Sequence, residues 1–557
     1  MALMLKMLFS AIGSKTYSKF TEKCQNLNET QESLLRYIVS QNQKTQYGKK
    51  YGFARIHTFA DFQSEVPIAT YEDLLPYIER ALNGEPEQLT KQSPVFFATT
   101  SGTTGKPKYI PVTPDGKSLK SQLLRAWFAK LFVDHPGIFD DKILSVISPE
   151  VESYAPSGIP CGAESGHGYR SMPKASVSSY SCPYEVYAIK DYETKYYVLL
   201  RIAASHSITL IYSVNPSTVI LLAQRLKQFS EDIIRDVRDG AISKKYLVSQ
   251  QLEKLLKHNL RPNPQRAHFL EKAASKDVGA LLPKHVWPNL AAIGCWKGGS
   301  VGMYVSKFDQ YYPEGTPVRD CGYYASEHRG SVPISDDDSS GVLAIPTNVY
   351  EFFPVSEDRK PEPTDLLRPH QLKKGEQYYI YVTTAAGLYR YDMNDIIEVT
   401  DFYQKTPMLR FVQKGKGFVS FTGEKLSEAQ VIAAIQKALT SYSGNYEFIA
   451  AVGEMGDVAP RYAFLAEFET SLKDDEAKSL AHCIEKELSL LNIEYEGKRK
   501  SKRLEPLVLR IVLHGEFDRY RKQAVEGGKN DGQFKILKLT KDQNFAKSFR
   551  TEREFCG

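Results

Sequence analysis

Cysteine is scarce in this chain of 557 residues, and its pattern excludes two kinds of site. The seven cysteines are scattered singly, and no pair has the two-residue spacing of a zinc or redox motif. An odd, dispersed set of cysteines is typical of proteins in a reducing compartment, so we predict a cytoplasmic protein without a disulfide framework. The 11 histidines show no HExxH motif or other paired spacing, so the common motifs for catalytic zinc are missing.

Long apolar runs and a strong net charge are absent as well. No stretch approaches the roughly 18 consecutive apolar residues that a membrane-spanning helix needs. The 72 basic and 66 acidic residues give a formal net charge of +6, which is too small for this length to indicate a nucleic-acid binder. We therefore expect a monomer whose partners are small molecules, with no membrane or nucleic acid among them.

The apolar pattern that is present predicts an α/β fold. Helical periodicity over residues 118–132 precedes a buried strand at residues 142–148, and helices and strands continue to alternate towards residue 420. Residues 154–182 are rich in glycine, serine and proline and predict a long loop between these elements.

The pattern changes near residue 420, which indicates a second domain. Ser427 and Gln430 have the spacing of a capping box at the start of a helix, and shorter strands and helices follow it. We predict a large α/β domain with mixed sheets and flanking helices over residues 1–420, and a smaller α+β domain over residues 421–557.

The most informative stretch is the glycine–hydroxyl loop, residues 97–108, which reads FATTSGTTGKPK. Glycines let the backbone turn tightly and present N–H groups to an anion, hydroxyls add donors, and lysines add positive charge. The spacing is not that of a P-loop, because two residues instead of four separate the glycines. The stretch predicts a triphosphate-binding loop of another type, with a solvated hairpin as the alternative. Its candidate ligands are Thr100, Ser101, Gly102, Thr103, Thr104 and Gly105.

Three further motifs follow in order along the chain. The second signature (residues 322–327) reads GYYASE, the third signature (residues 387–395) reads GLYRYDMND, and the hinge segment (residues 421–428) reads FTGEKLSE. Together with the loop, they resemble the motifs of the adenylate-forming, acyl-activating superfamily. Their wording and spacing are similar to those of the plant-type auxin-responsive acyl-acid amido synthetases and their bacterial relatives.

This resemblance implies a fold and an activity. It implies the acyl-adenylate-forming fold, in which the C-terminal domain is a mobile lid. It implies a ligase that converts a carboxylic acid and ATP into acyl-AMP and pyrophosphate, with Mg²⁺, and then transfers the acyl group to an amino acid or another amine. A covalent enzyme intermediate is not needed, so a nucleophilic cysteine or serine is not expected.

The resemblance also implies roles for the two signatures. Glu327 matches the metal-bridging acid, and a hard carboxylate oxygen suits Mg²⁺. Ser326 lies where a hydroxyl bonds the α-phosphate, and Asp395 matches the residue that accepts both ribose hydroxyls. Tyr323, or Tyr324 in its place, would stack on adenine, although a core aromatic residue fits the pattern nearly as well.

The resemblance also bears on Asn394 and on a lysine of the C-terminal domain. Asn394 stands where the superfamily usually has glycine, and since asparagine tolerates the left-handed conformation, we expect the turn to be kept. In the C-terminal domain, Lys535 matches the catalytic lysine that reaches the α-phosphate, with Lys529 as the alternative; a solvated lysine is the other interpretation.

The acid-binding residues are less well defined. We expect the acyl pocket among the helix at residues 118–130 and the loop at residues 154–182. Trp127 and Phe128, together with Tyr154, would allow an aromatic or apolar acid. Arg390 could hold the carboxyl substrate or a phosphate, or it could form a structural ion pair with Asp392.

Other functions remain open at this point. An acyl-CoA ligase would share the adenylation step and pass the acyl group to coenzyme A. A serine hydrolase is suggested by the G-x-S-x-G pattern at residues 298–302, with Ser300 as nucleophile and His328 as a possible base. A non-catalytic binding module would leave Glu327 and Asp395 without a task.

Overall fold

The computed structural model of the protein consists of two compact units. The first unit comprises residues 1–298 and 304–411, and the second comprises residues 299–303 and 412–557. The domain boundary at residue 420 stays a prediction. The structure describes residues 6, 13–100, 108–246, 248–355, 361–415, 418–419, 424, 426–440, 442, 445–500, 502–527, 534, 537–540 and 542–557.

Helices make up much of the first unit. In chain order they are α1 (Ser14–Gln25), α2 (Leu27–Gln41), α3 (Gln46–Lys50), α4 (Phe59–Glu65), α5 (Tyr71–Leu82), α6 (Pro114–Asp134), α7 (Glu164–Arg170), α8 (Lys174–Val177), α9 (Tyr184–Tyr187), α10 (Tyr192–Ala204), α11 (Pro216–Gln228), α12 (Ser230–Asp239), α13 (Gln250–Leu256), α14 (Pro264–Ala274), α15 (Pro283–Val286) and α16 (Phe308–Tyr311).

Fourteen strands begin in the first unit as far as the structure describes it. They are β1 (Phe96–Thr100), β2 (Lys108–Val112), β3 (Lys142–Ser145), β4 (Ser153–Tyr154), β5 (Pro160–Gly162), β6 (Ile208–Tyr212), β7 (Ala292–Cys295), β8 (Val318–Asp320), β9 (Ser331–Val332), β10 (Gly341–Leu343), β11 (Asn348–Pro354), β12 (Gln377–Thr384), β13 (Tyr391–Tyr403) and β14 (Thr406–Lys414).

The second signature follows the last strand of a parallel sheet whose strand order is β3–β6–β7–β8. Its strands are short apolar runs such as Ile208–Tyr212, as expected where helices cover both faces. Cys295 at the end of β7 lies opposite Asp320 at the end of β8. The second signature begins two residues later, so it lies at the carboxyl edge of the sheet, where open α/β sheets bind ligands.

The third signature runs into β13 of an antiparallel sheet of six strands, whose order is β11–β12–β13–β14–β10–β9. Tyr381 of β12 lies opposite Asp392 of β13, but Tyr379 lies opposite Ile396, so β13 carries extra residues in between. Asn394 in this bulge has φ of +48°, in the left-handed region, which confirms that asparagine keeps the turn. Bulges of this kind re-aim the neighbouring side chain, here that of Asp395.

The segment predicted as a long loop, residues 154–182, is instead mostly ordered into short elements. The strand β5 pairs in parallel with β1 and in antiparallel fashion with β4, and the helices α7 and α8 follow. Gly166 allows a close approach here, because a Cβ atom would lie 2.4 Å from the Ser148 carbonyl oxygen. Glycine at this point therefore serves packing and does not indicate an irregular loop.

The elements of the second unit are β15 (Phe418–Val419), β16 (Leu426–Ser427), α17 (Glu428–Leu439), β17 (Tyr446–Met455), β18 (Pro460–Phe468), α18 (Asp474–Leu491), α19 (Ile493–Lys500), β19 (Val508–Val512), α20 (Glu516–Glu526), β20 (Leu539–Thr540), α21 (Gln543–Lys547) and β21 (Thr551–Cys556). Its helix α17 begins at a capping box in which Ser427 and Gln430 bond each other's backbone, as predicted. The unit is built on a five-stranded mixed sheet with the order β20–β17–β18–β19–β21, and β15 and β16 form a separate two-stranded sheet.

Candidate active site

The second and third signatures meet through one buried hydrogen bond. The Tyr323 hydroxyl donates to Oδ2 of Asp395 over 2.5 Å, although 72 residues separate the two in the chain. Asp395 is 2% exposed and Tyr323 is 8% exposed. Burial, and then the nearby Asp395 carboxylate, raise the pKa of Tyr323 well above its usual value, so its hydroxyl stays a donor.

The surroundings of Tyr323 contradict its predicted role as the adenine-stacking residue. Its ring lies parallel to that of Phe411, with 5.9 Å between centroids, and meets His328 edge-on at 5.0 Å. A Cβ atom on Gly330 would lie 2.4 Å from the ring. Because these neighbours enclose the ring, Tyr323 is a core residue that orients Asp395, and Tyr324 is left as the candidate for stacking.

Asp320 fixes the turn that begins the second signature. Its carboxylate accepts the backbone N–H of Gly322 and that of Lys297, each over 2.5 Å. One side chain therefore ties the residues after β7 to those after β8. Burial raises the pKa of Asp320 to about 7, against the opposing effect of these hydrogen bonds.

Lys120 on α6 connects the second signature to the segment that follows β5. Its Nζ donates to the backbone carbonyl of Ser326 over 2.7 Å and to Oε1 of Glu164 over 2.8 Å. The ion pair is mostly buried, with side-chain exposures of 17% and 12%. Glu327, next to Ser326, is half-buried.

A large cavity of about 810 Å³ opens in the first unit beside this ion pair. Helix α6 forms one wall, and residues 164–180 form another, which is where the sequence predicted the acyl pocket. Tyr324 and Arg329 of the loop after β8 also line it, and the Arg329 guanidinium lies 5.2 Å from the centre of the Tyr324 ring. Its volume is within the roughly 300–1,000 Å³ typical of small-molecule pockets.

Of the three aromatic residues expected at the acid, the structure places only Phe128 on the cavity wall. Trp127 points the other way: it is fully buried, and its indole N–H donates to the Asp320 carbonyl over 2.8 Å. Tyr154 is 68% exposed on a two-residue strand and does not line the cavity. Adjacent residues on a helix point about 100° apart, and here the Trp127 ring packs against Gly294 and Tyr212 of the parallel sheet.

Arg390 is also not a substrate-binding residue, in contrast to one of its predicted roles. The guanidinium is fully buried and pairs with both carboxylate oxygens of Glu351 over 2.9 Å. Its other N–H groups donate to the carbonyl oxygens of Gln63, Val66 and Pro363. All five donors are used by the protein, so none is left for a carboxylate or phosphate.

Several predicted residues lie outside the described part of the chain. Strands β1 and β2 pair from Phe96↔Val112 to Thr100↔Lys108, so the glycine–hydroxyl loop joins two antiparallel strands. Its residues Ser101, Gly102, Thr103, Thr104 and Gly105 are not among those described, nor is the side chain of Thr100. The same holds for Lys529 and Lys535, whose roles stay predictions.

Within the described residues, no group of three or more His, Cys, Asp or Glu side chains could hold a metal ion. In phosphate-transfer sites, Mg²⁺ usually binds one or two carboxylates and takes its remaining ligands from phosphates and water. Glu327, half-buried at the carboxyl edge of the parallel sheet, suits that single-carboxylate arrangement.

The G-x-S-x-G pattern does not form the elbow that a serine hydrolase needs. After β7 the chain enters a 3₁₀ helix, Gly299–Lys307, whereas the elbow requires a strand followed directly by an α-helix. The proposed base, His328, is fully buried against Tyr323. These two observations leave the hydrolase hypothesis without structural support.

Some residues of the site were missed by the sequence-based predictions. Lys120, Glu164 and Asp320 stand in no motif, and only the fold brings them to the second signature. A weak signal existed for Asp320, because an aspartate at the end of a buried strand is well placed to bind the backbone of the following turn.

The two joined signatures lie on the fold of the adenylate-forming class. A solved structure of a 2-hydroxyisobutyryl-CoA ligase in complex with its acyl-AMP has this fold, with a TM-score of 0.52 and 12% identity over 92% of this chain and 89% of that one. The GH3.15 acyl acid amido synthetase superposes with a TM-score of 0.86 and 22% identity over 97% of each chain. The predicted fold class is thereby confirmed.

Within that class, the chain belongs to the GH3 family. The models of the GH3 family N-terminal, central and C-terminal domains match residues 16–318, 341–414 and 429–544. An indole-3-acetic acid-amido synthetase of Arabidopsis thaliana, GH3.3, is 24% identical over 92% of this chain and 90% of its own length. The predicted membership in the acyl-acid amido synthetases, and with it the ligase class, is confirmed.

In the part of the chain that the structure describes, none of the helices has both the length and the apolar character to cross a bilayer.

Proposed function

We propose that this protein is an ATP-dependent acyl-acid amido synthetase that joins a carboxylic acid to an amino acid. The observation that carries the proposal is the Tyr323–Asp395 hydrogen bond of 2.5 Å, which unites the second and third signatures. Two nearby residues of the second signature support the same reaction. Tyr324 lines the cavity, and the carbonyl of Ser326 accepts a hydrogen bond from Lys120 on the cavity wall.

The first half-reaction is the transfer of AMP to the acid. A carboxylate oxygen of the acid attacks the α-phosphorus of ATP, a new P–O bond forms, and pyrophosphate leaves with the electrons of the broken P–O bond. The protein contributes chiefly by holding the two reactants in line. The glycine–hydroxyl loop would bind the β- and γ-phosphates, and the Ser326 hydroxyl would bond the α-phosphate.

Asp395 would hold the nucleoside. A carboxylate offers about four acceptor positions, which suits Asp395 to accept from vicinal ribose hydroxyls as well as from the Tyr323 hydroxyl. Tyr324 would stack on adenine. Glu327 would hold Mg²⁺ together with phosphate oxygens, and the ion, when bound, neutralises phosphate charge that builds up as pyrophosphate leaves.

The second half-reaction transfers the acyl group. The amine nitrogen of an amino acid attacks the acyl carbonyl carbon, an amide bond forms, AMP leaves, and the nitrogen loses a proton. The cavity beside α6 would hold the acyl group through both steps, and Phe128 would contact its apolar part. We place Lys535 at the α-phosphate during the first step.

The protein would work as a monomer in the cytoplasm. All seven cysteines are free thiols and five are buried, which is typical of a reducing compartment. Light scattering on the purified protein would test the monomer against its chain mass of 62.9 kDa.

The proposed function is tested by pyrophosphate release from MgATP across a panel of carboxylic acids, with and without a mixture of amino acids. We expect acid-dependent release that increases with an amino acid, together with an amide product in the mass spectrum. Release that increases only with coenzyme A would identify an acyl-CoA ligase instead, and no release with any acid would contradict the adenylation step.

Two variants serve as controls in this assay. Asp395→Asn removes the charge that would bind ribose, and we expect kcat/KM for ATP to fall roughly 10- to 100-fold, since a hydrogen bond to a charged group contributes about 1.5–3 kcal/mol. Glu327→Gln would raise the Mg²⁺ concentration needed for half-maximal rate. Because Glu327 is half-buried, its variant should fold normally, and a rate equal to that of wild type would remove it from the site.

A further inference from the structure

The cavity beside α6 is large for the small acids that a generic amido synthetase could use. The following inference rests on the proposed function and concerns the class of acid. At about 810 Å³ the cavity lies in the upper part of the range for pockets that hold drug-sized ligands. An acid built on one six-membered ring would leave most of this volume, and most of its apolar wall, in contact with water.

The shape of the cavity follows α6. Lys120, Leu124 and Phe128 all line it, and their spacing of four residues places them on one face of the helix. Eight residues separate the first from the last, which corresponds to about 12 Å along the helix axis. The cavity is therefore extended along the helix and is not a compact pocket around one ring.

The two ends of this wall differ in chemistry. At one end, Lys120 bonds the Ser326 carbonyl and Glu164, so this end faces the second signature. At the other end, Phe128 stacks on Phe139, with 6.3 Å between ring centroids, and both rings line the cavity. An ammonium group has three N–H donors, and two are used in these bonds, so the third can reach a substrate carboxylate.

We infer that the cavity takes an extended, apolar monocarboxylic acid, whose carboxylate pairs with Lys120 and whose apolar body lies along α6 as far as Phe128. Medium- and long-chain fatty acids are the simplest members of this class. Glu164 holds the Lys120 ammonium at the end nearest the second signature, so the acid enters with its carboxylate towards the α-phosphate and its tail away from it.

The test compares pyrophosphate release with benzoate, octanoate and dodecanoate, each below its micelle concentration. Burial of one methylene group changes an equilibrium roughly fourfold, so kcat/KM should rise by about that factor for each methylene until the cavity is filled. Dodecanedioate, which carries a second carboxylate at the far end, should be at least about tenfold poorer than dodecanoate, because that charge would be buried beside phenylalanines.

A variant that shortens the cavity separates this inference from a general preference for apolar acids. Leu124→Trp would fill the space between Lys120 and Phe128, so kcat/KM for dodecanoate should fall at least about tenfold, and by a much larger factor than that for benzoate. Gln122→Trp is the matched control: it adds the same ring to the same helix, two residues away, at a position that does not line the cavity. It should leave both acids unaffected.

Lys120→Arg and Lys120→Met test the carboxylate end. The arginine variant keeps a positive charge and should retain a KM for the acids close to that of wild type, whereas the methionine variant should raise KM for every acid by the same factor. Benzoate used as well as dodecanoate, or equal losses with both acids in Leu124→Trp, would overturn the inference.

Failure of the proposed function can be told apart from failure of this inference. If no acid releases pyrophosphate, calorimetric titration of the protein with dodecanoate decides the matter. Binding that is lost in Leu124→Trp and kept in Gln122→Trp would support the inference, and no binding to the wild-type protein would overturn it.

Discussion

Two buried polar residues of the third signature, Arg390 and Asp395, differ in their partners. Arg390 uses every donor on Glu351 and on three backbone carbonyls, so it stabilises the fold around β11 and β13. Asp395 accepts a hydrogen bond from Tyr323, and we propose that it binds the nucleoside. The identity of a charged residue in a motif therefore does not decide whether it binds substrate.

Replacing Arg390 should damage stability without a specific effect on acid binding. Arg390→Met would leave the buried Glu351 carboxylate without its main partner, and loss of one member of a buried pair costs about 3–5 kcal/mol. The urea midpoint of unfolding should fall sharply, while KM for the acid in the folded fraction stays the same. Arg55→Ala, which breaks the exposed Arg55–Glu65 pair, should cost less than about 1 kcal/mol. A raised KM at unchanged stability would restore the substrate role.

The raised pKa of Asp320 predicts that the stability of the protein depends on pH. Burial raises its pKa to about 7, above the value near 4 of an unfolded chain, so the folded state binds more protons between these pH values. The free energy of unfolding should therefore fall as the pH rises from about 4 to 7. Asp320→Asn removes this titration, so the difference in stability between variant and wild type should grow with pH, by up to about 4 kcal/mol.

The measurement is urea unfolding of wild type and Asp320→Asn at several pH values between 5 and 8. The comparison of the two proteins cancels the titration of all other groups. Parallel stability curves would mean that Asp320 keeps an ordinary pKa in the folded protein.

At the scale of elements, the site depends on the turns at the carboxyl ends of parallel strands. The turn after β8 starts the second signature, and Gly322 within it has φ of +87°. A Cβ atom there would lie 2.4 Å from the Ser331 carbonyl oxygen, so the turn is also packed against β9. This close packing fixes the direction of the backbone at Tyr323, the next residue of the turn.

Two glycine substitutions should separate backbone strain from collision. Gly315→Ala and Gly322→Ala both place alanine at positive φ, +70° and +87°, but the Cβ atom at Gly315 has nothing within 4 Å. The left-handed conformation alone costs roughly 1–2 kcal/mol, so Gly315→Ala should lower the thermal midpoint modestly and leave KM for ATP unchanged.

Gly322→Ala adds the collision with the Ser331 carbonyl and should lower stability further. It should also raise KM for ATP, because Tyr323 and Asp395 are displaced. Equal effects of the two substitutions on melting and on KM would show that packing at Gly322 does not position the site.

At the scale of the whole molecule, each unit has its own sheets and its own core. Leu210 lies in β6, inside the parallel sheet of the first unit, and Leu465 lies in β18, inside the five-stranded sheet of the second; both are fully buried. Two cores of this kind predict that unfolding is not a single two-state transition.

Matched core substitutions test this organisation. Leu210→Ala and Leu465→Ala should each cost about 2–5 kcal/mol, and in a calorimetric scan each should lower the transition of its own unit only. ATP with Mg²⁺ should raise the transition that Leu210→Ala lowers, since Asp395 and Glu327 belong to the first unit. A single transition that both variants shift equally would contradict two independent cores.

Lys535 is the residue of the second unit that the adenylation step is expected to need. Lys535→Ala should lower acid-dependent pyrophosphate release by about 10²-fold or more, as loss of a charge-stabilising group in phosphate chemistry commonly does. Lys529→Ala, in the same glycine-rich segment, is the matched control and should change the rate little. The reverse order of effects would exchange the two assignments.

The sequence by itself determined the class of this protein. The order of the four motifs, the alternation of helices and strands, the capping box at Ser427 and the left-handed turn at Asn394 are local features, and local sequence is sufficient for them. The sequence also predicted the helix that carries Phe128, which lines the cavity beside α6.

Only the tertiary structure decided which side chains work together. Neither the Lys120–Glu164 pair nor the hydrogen bonds of Asp320 can be found from spacing, because the partners lie on different elements. The predicted substrate contacts of Trp127 and Arg390 were wrong for the same reason. Trp127 packs in the core and Arg390 pairs with Glu351, and both contacts join segments that are distant in the chain. Chain-local patterns specify turns and helix faces, whereas burial and pairing of charge arise only when the segments are folded against one another.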